Sequence, residues 1–469
     1  MDNTTYSEIC LYLKELIKGS QWEGHIYTVG GCCRDTVMQQ PINDVDIAVT
    51  YPDGGISFAA WLYEKGLTTG EPTTFPKYGT ARLRLRAFPH DELELVQTRR
   101  EKYDDHNSRN PSTVFGTIED DCYRRDLTIN SLYYDISAER LLDISGLALA
   151  DIENKVIRTP LDPDTTFDDD PLRILRAIRF SAKYGWDIEP ATAAALSRHT
   201  ERLSIIKPER MQGEFEKILL CPRASYGLDM LRRVGAIQYI APELCQTFDL
   251  KQPPHHFGTV WEHTLAVVDK VPATPLLRYA ALLHDVGKIV SQITGKDGQI
   301  HFPRHHKRGK CIAAHILARL RYRTHFIERV LFLCINHESV KTWGKTAEKM
   351  KDADLRQLQY LCYTPARFDN LMTLIDADNR SYAPEHCMGE QTMHIRRRSE
   401  ELQAGDTAMF GYTLPLKPSR IIKIKGIEGN RKAYDACTKY LLSIAFANPR
   451  IRREQLIKKL QKYNLPAQC

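Results

Sequence analysis

The chain has 469 residues, 42% of them hydrophobic, and a mean hydropathy of -0.40; this is enough for several separately cored units and predicts about two to four domains. Its 65 lysines and arginines exceed its acidic residues by only 6, so affinity for nucleic acid has to come from local clusters and not from overall charge. No run of about 18 apolar residues occurs, residues 1–20 are acidic where a secretory signal is cationic, and the twelve cysteines include no C-x-x-C pair; the sequence therefore predicts an intracellular, cytoplasmic protein with no membrane partner, zinc ribbon or disulfide framework, its cysteines mostly small core residues.

Ile9, Leu13, Leu16 and Ile17 recur at helical spacing. His25 to Val29 then reads as a strand that ends at Gly30-Gly31, and about two turns of helix follow. Asn43 to Thr50, Arg82 to Arg86 and Glu92 to Thr98 read as further strands of a small mixed sheet. Between Arg99 and Asp121 lies a polar stretch with Asn107, Ser108, Asn110, Pro111 and Ser112, too long for an ordinary connection, which predicts a mobile functional loop. After about residue 155 helical periodicity takes over. The predicted architecture is an α/β head over 1–155, a helical neck over 156–225, a helical body over 226–400 and a basic tail over 401–469. The tail carries cations such as Lys417, Arg420, Arg431, Arg452, Lys458 and Lys462, against only Glu428, Asp435 and Glu454 between 417 and 462; it reads equally as a phosphate-binding surface and as a solvated helical face.

Asp44 and Asp46 stand two apart on the second predicted strand, which projects both carboxylates from one face and lets them share a metal. Magnesium prefers such oxygen ligands, and a pair of ions at such a site activates a hydroxyl and neutralises a departing pyrophosphate. The spacing alone is common on surfaces. Just upstream, Gly30-Gly31-Cys32-Cys33-Arg34-Asp35 sets a tight turn and a helix start beside the acidic strand, where free N–H groups and Arg34 favour a triphosphate.

GG-x-x-RD followed by D-x-D resembles the first motif of the polymerase β nucleotidyltransferase superfamily, and within it the bacterial tRNA nucleotidyltransferase and poly(A) polymerase family. The resemblance implies a third carboxylate that handles the attacking 3′-hydroxyl: Glu94, with Glu92 as its same-face rival. It continues through Arg124 to Asn130 (RRDLTIN), with Leu127 where the family has phenylalanine, and implies nucleotide contacts from Arg125 and Asp126. Residues 143–158 resemble a further family segment, with Leu147 in place of a second glycine.

Asp168 to Phe180 reads as one helix with an acidic first turn and Pro171 near its start. On it Asp170 and Arg173, three apart, offer a carboxylate acceptor beside a guanidinium donor, a pair that reads the Watson–Crick edge of cytosine or adenine. The segment is similar to the family's E-D-x-x-R templating motif, with Asp169 in place of glutamate; Arg176 and Arg179 are then phosphate-side or structural arginines, and Arg210 and Glu214 a structural i,i+4 pair.

In the C-terminal half, His284-Asp285-Val286-Gly287-Lys288 follows an apolar helical run, with His263 a helix earlier. This resembles the HD metal-dependent phosphohydrolases and implies a site of His263, His284, Asp285 and Asp378, with Asp376 as the alternative acid and His305, His306 and His337 in the expected order. So many imidazoles favour a transition metal such as manganese or nickel over magnesium. Taken together, the resemblances imply addition of CCA from CTP and ATP to tRNA 3′ ends, magnesium in the head, and phosphohydrolysis at the HD site. The rivals are a poly(A) polymerase, a CC-only or A-only enzyme, and an HD phosphohydrolase whose head merely binds nucleotide or RNA.

Overall fold

In a computed structural model of the protein, residues 2–102, 112–253, 256 and 258–466 are described, and the chain divides into two units, Met1–Ala241 and Pro242–Cys469. The first unit holds the predicted mixed sheet. Its strands are β1 (Ile26–Val29), β2 (Val45–Val49), β3 (Thr73–Phe75), β4 (Thr80–Leu85), β5 (Phe88–Gln97), then β8 (Leu132–Asp135) and β9 (Arg140–Asp143); between them β6 (Arg99–Lys102) and β7 (Ser112–Phe115) pair only with each other. The order across the sheet is β3-β4-β5-β2-β1-β8-β9. Only β2 and β5 run parallel; every other neighbouring pair in this sheet is antiparallel. The polar stretch predicted as a mobile loop lies outside the described residues over 103–111.

A parallel neighbour needs a crossover, and here it includes the helix Gly54–Glu64. Two glycines let that helix lie directly on the sheet: a Cβ on Gly54 would come within 2.6 Å of Val49 Cγ1, and one on Gly55 within 2.3 Å of the Gly79 carbonyl oxygen and 2.7 Å of that of Leu95. The helix Asn3–Ile17 buries Ile9, Leu13 and Ile17, as its spacing predicts, against Trp22, Ile26, Ile47, Phe58 and Leu95.

Beyond the sheet the unit is helical apart from one short parallel pair, Val156–Ile157 with Asp187–Ile188: its helices include Pro163–Asp169, Leu172–Tyr184, Pro190–His199, Pro208–Leu219 and Ala224–Arg233. The predicted single helix over Asp168 to Phe180 is corrected here. Asp168 and Asp169 close the first of these helices, Asp170 is extended at φ −139° and ψ 99°, and a new helix begins at Leu172. Pro171 is the cause, because the ring of a proline pushes the preceding residue out of helical conformation.

The second unit is helical apart from one short hairpin, Ile293–Thr294 with Ile300–His301. Its last three helices, Pro418–Lys425, Arg431–Ala447 and Arg453–Lys462, carry the basic tail and pack their own small core from Ile421, Cys437, Leu441, Leu456 and Leu460. Most of the described cysteines are buried free thiols. Among the described residues no helix is long and apolar enough to cross a membrane.

Gly55→Ala is expected to lower stability by about 1–3 kcal/mol, because the backbone carbonyls it would strike cannot swing aside. Urea unfolding of the two proteins checks this; equal midpoints would mean that the helix is free to lift off the sheet.

Candidate active site

Gly30 takes φ +77° and ψ −120°, and its N–H donates to the Leu132 carbonyl at 3.0 Å. Side chains avoid that backbone region, and the space is also taken: a Cβ here would lie 3.3 Å from Arg125 Nη1, 3.6 Å from the Asn130 carbonyl oxygen and 4.0 Å from Asp46 Oδ2. The turn, the arginine and the carboxylate therefore meet at one point.

Asp46 is on β2, flanked in register by Val29 of β1 and Glu94 of β5. Burial pushes its carboxyl up to about 6; Glu94 and Asp44 push the same way, while Arg125 and Arg82 oppose them. Asp44 is exposed and precedes the strand, which starts at Val45 and not at Asn43 as expected, so no ladder bond fixes its direction. Glu94 accepts from Arg82 at 2.9 and 3.2 Å, whereas its rival Glu92 faces Arg84 at 3.6 Å. Among the described residues, the acidic, histidine and cysteine groups whose ligand atoms all approach within 4.8 Å lie in the second unit; in the head, Asp46 and Glu94 are cross-strand partners without being drawn so close together with Asp44.

The RRD segment is not a surface ion pair. Arg125 donates to Asp121 at 2.8 Å and to the Tyr133 hydroxyl at 3.1 Å, and Tyr133 in turn donates to Asp121 at 2.7 Å. Asp121 is fully buried, yet Arg124 and Arg125 hold its carboxyl far below the usual range. Asp126 accepts from Asn130 at 3.1 Å and from Arg176 at 2.7 Å; burial works to raise its carboxyl, but Arg176 and these hydrogen bonds bring it down to about 2. Asp121, Tyr133 and Asn130 hold the cluster in place; Asn130 closes the RRDLTIN motif, whereas nothing in the sequence pattern announced the role of Asp121 or Tyr133.

In the head and neck, packing gives several of the predicted residues partners inside the fold. Arg34 does not project freely at the turn: it is buried, bonded to Asp35 at 2.8 Å and to the Asn130 side chain, with its guanidinium carbon 5.2 Å from the Phe180 ring centre and 5.7 Å from that of Tyr184. Asp170 and Arg173 do not pair with each other; Asp170 meets Arg210 at 3.3 Å, while Arg173 donates to the carbonyls of Arg124 at 2.6 Å and Thr166 at 3.3 Å. The expected Arg210–Glu214 pair is likewise replaced, since Glu214 faces inward and takes Arg179 at 2.7 Å and Lys217 at 3.1 Å.

The second unit gathers the HD residues. His263 Nε2 lies 3.1 Å from Asp378 Oδ1, His284 Nε2 lies 3.3 Å from Asp285 Oδ2, and His305 Nε2 lies 3.0 Å from Asp285 Oδ1. His337 Nε2 is 3.3 Å from His305 Nε2 and 3.7 Å from Asp285 Oδ1. The Nδ1 atoms of His263, His284, His305 and His337 face the carbonyls of Ser381, Ala281, Phe302 and Cys334 at 2.7–3.3 Å. Donation through Nδ1–H turns each Nε2 lone pair inward, the arrangement of metal-ligating imidazoles. His284 Nε2 and Asp378 Oδ2 are buried without a hydrogen-bond partner, so the donor set fits a cation. Burial and the neighbouring imidazoles hold His337 down to about 3, its neutral form. Asp376 is engaged elsewhere, with Arg380 at 2.8 Å and Thr392 at 2.7 Å. Beside the cluster opens a cavity of about 340 Å³ lined by Lys288, Lys341, His256 and Tyr382 among others.

Residues 26–158 match the family described as the poly A polymerase head domain, and residues 185–248 match the probable RNA and SrmB-binding site of polymerase A. The chain is 29% identical over 391 residues to the Multifunctional CCA protein of Xylella fastidiosa, covering 79% of this chain and 88% of that one. It is 32% identical over 228 residues to tRNA nucleotidyltransferase cca1 of Schizosaccharomyces pombe, where the match spans under half of either protein, 45% of each. In fold it resembles the CCA-adding enzyme of Bacillus stearothermophilus in complex with CTP, with a TM-score of 0.66 at 20% identity over 98% of both chains. The Thermotoga maritima CCA-adding enzyme complexed with tRNA gives a TM-score of 0.60 at 18% identity, over 98% of this chain and 95% of that one.

The raised Asp46 carboxyl makes a stability prediction with a definite sign. The folded chain holds this proton to about pH 6, whereas an ordinary aspartate releases it near 3.8, so ionisation between those values works against the fold. Asp46→Asn is therefore expected to unfold at higher urea concentration than the parent above pH 6, and to show no such gain near pH 4, where both side chains are neutral in the native state.

Proposed function

We propose that this chain, a member of the tRNA nucleotidyltransferase and poly(A) polymerase family, completes tRNA 3′ ends by adding CCA from CTP and ATP without a nucleic acid template, and that its second unit is a metal-dependent phosphohydrolase. The observation that carries the transferase reading is the meeting of Asp46, Arg125 and the Gly30 turn at one point, inside the stretch that matches the poly A polymerase head. Likeness to a Multifunctional CCA protein across most of both chains supports the two activities together. We assign the site of action to the cytoplasm.

In this reading Asp44 and Asp46 hold magnesium, which supplies the charge that activates the 3′-hydroxyl and neutralises the leaving pyrophosphate. Gly30 and Gly31 leave room for the triphosphate, and Arg125 meets its charge. Arg34 and Asp126 back this site, and Glu94 takes the proton of the attacking hydroxyl at a carboxylate oxygen. The primer oxygen then bonds to the α-phosphorus as the bond to pyrophosphate breaks. Asp170 and Arg173 read the incoming base; each exchanges its present partner, Arg210 or a pair of carbonyls, for the Watson–Crick edge. Arg176 ties that helix to Asp126, and Arg179 ties it to Glu214.

In the second unit His263, His284, Asp285 and Asp378 hold a transition metal such as manganese or nickel, which supplies hydroxide near neutral pH for phosphoester hydrolysis. His305 and His337 share Asp285 through its other oxygen and offer a further ligand set. Lys288 and Lys341 line the adjoining cavity and meet the negative charge of a phosphomonoester or cyclic phosphate.

The test is incubation of the purified chain with tRNA lacking its last three nucleotides, magnesium, and each nucleotide alone and together. Extension that stops at CCA is expected; a long A tail from ATP alone would make it a poly(A) polymerase, and arrest after CC or A a partial enzyme. Asp46→Ala is expected to abolish extension and spare metal-stimulated phosphoester hydrolysis, and the His284→Ala, Asp285→Ala double variant to do the reverse. Loss of both activities in either folded variant would refute separate sites. Arg173→Ala is expected to blur the choice among nucleotides more than it weakens their binding, since each charge-assisted hydrogen bond is worth about 1.5–3 kcal/mol; strict CTP and ATP selection by that variant would rule out its reading role.

A further inference from the structure

A single row of cross-strand partners runs outward from the catalytic strand to the edge of the head sheet. Val29 on β1 pairs with Asp46 on β2, Asp46 with Glu94 on β5, Glu94 with Arg82 on β4, and Arg82 with Thr73 on β3. One row along, Arg84 pairs with Glu92. Arg82 and Arg84 point the same way from β4, where the burial alternates and leaves both exposed. Their side chains line a cavity of about 460 Å³ together with Thr73, Phe75 and Glu92.

The chemistry of this surface is that of a single-stranded polynucleotide. Guanidiniums at i and i+2 on a strand stand about 7 Å apart, a separation that suits successive phosphates of an extended strand. Phe75 is 40% exposed with its ring centre 5.8 Å from the Arg82 guanidinium carbon, and an exposed ring beside an arginine is a stacking platform for a base. The ion pairs Arg82–Glu94 and Arg84–Glu92 are half exposed; pairs of that kind are weak, so both guanidiniums are free to exchange a carboxylate for a phosphate.

Position says which phosphates. The Gly30 turn and Arg125 flank Asp46 on its β1 side, whereas Arg82 stands beyond Glu94 on the other. In-line displacement requires the nucleophile opposite the leaving group, so with pyrophosphate departing at the glycine turn the attacking hydroxyl arrives from the β4 side.

We propose that the exposed face of β3 and β4, through Arg82, Arg84 and Phe75, is the landing for the 3′-terminal phosphodiesters of the RNA primer, and that Arg82 hands Glu94 to the arriving hydroxyl as it takes the phosphate. This rests on the transferase reading of the head. Arg82 and Arg84 are positioning residues; neither touches the reacting phosphorus.

The experiment uses the full chain, tRNA transcripts lacking CCA, and CTP with magnesium at several salt concentrations. Arg84→Gln and Arg82→Gln are each expected to raise the KM for tRNA roughly tenfold, as for one lost charge-assisted contact, and to leave the KM for CTP unchanged. The slope of log tRNA affinity against log salt is expected to become shallower by about 0.7 per arginine removed, and Arg84→Lys to restore it. Unchanged tRNA KM and salt slope in both glutamine variants, or an equal rise in the KM for CTP, would overturn the proposal while the active parent keeps the transferase reading intact. A parent chain that extends no tRNA would overturn both.

Discussion

Placing β2 parallel to β5 in an otherwise antiparallel sheet is the constraint on which the head depends. Parallel neighbours cannot be joined by a tight turn, so the chain between them passes through the helix Gly54–Glu64 and the antiparallel strands β3 and β4. The same pairing sets the register that brings Glu94 beside Asp46 from a distant part of the chain. A slip of either strand by one residue would turn its own carboxylate to the opposite face and part the pair. Gly55 leaves room for the crossover helix to lie against the carbonyls of Gly79 and Leu95.

Around this sheet the charged groups form a partly buried network, and burial makes each partner costly to remove. Asp121, with no exposure of its own, anchors Arg124 and Arg125, and through Arg125 it fixes a positive charge against the glycine turn. Asp126 reaches the other way to Arg176, on the helix that also carries Arg173. The network thus links the sheet to the helix that carries Arg173 and Arg176.

The second unit solves a different problem, which is to keep several acids and imidazoles buried together. Asp285 stays ionised because His284 and Lys288 outweigh its desolvation. The histidines spend one nitrogen on a backbone carbonyl and keep the other for the centre. A set with unsatisfied inward atoms costs stability as it stands and is relieved by a cation.

Local sequence determined much of this. Period-two and period-3.6 patterns placed strands over 25–29, 43–50, 82–86 and 92–98, an N-terminal helix and the change to helices after the head, and the structure has these strands at Ile26–Val29, Val45–Val49, Thr80–Leu85 and Phe88–Gln97, because burial of one face leaves its period in the residues. Gly30, Asp46, His284 and Asp285 stood out in the sequence by residue type and spacing, and Asp126 and Arg173 by family resemblance; the structure sets Gly30 beside Asp46, and His284 beside Asp285. Tertiary structure alone decided which side chains meet. The preference for Glu94 over Glu92 beside Asp46 follows from strand register, and that for Asp378 over Asp376 from which side of one helix faces the cluster. The partners of Arg34, Arg173, Arg210 and Glu214 were likewise set by packing, because long charged side chains settle on whichever carboxylate or carbonyl the fold brings within reach. The split of the Asp168–Phe180 segment was also decided by the fold, which sets Asp170 extended before Pro171 and between two helices.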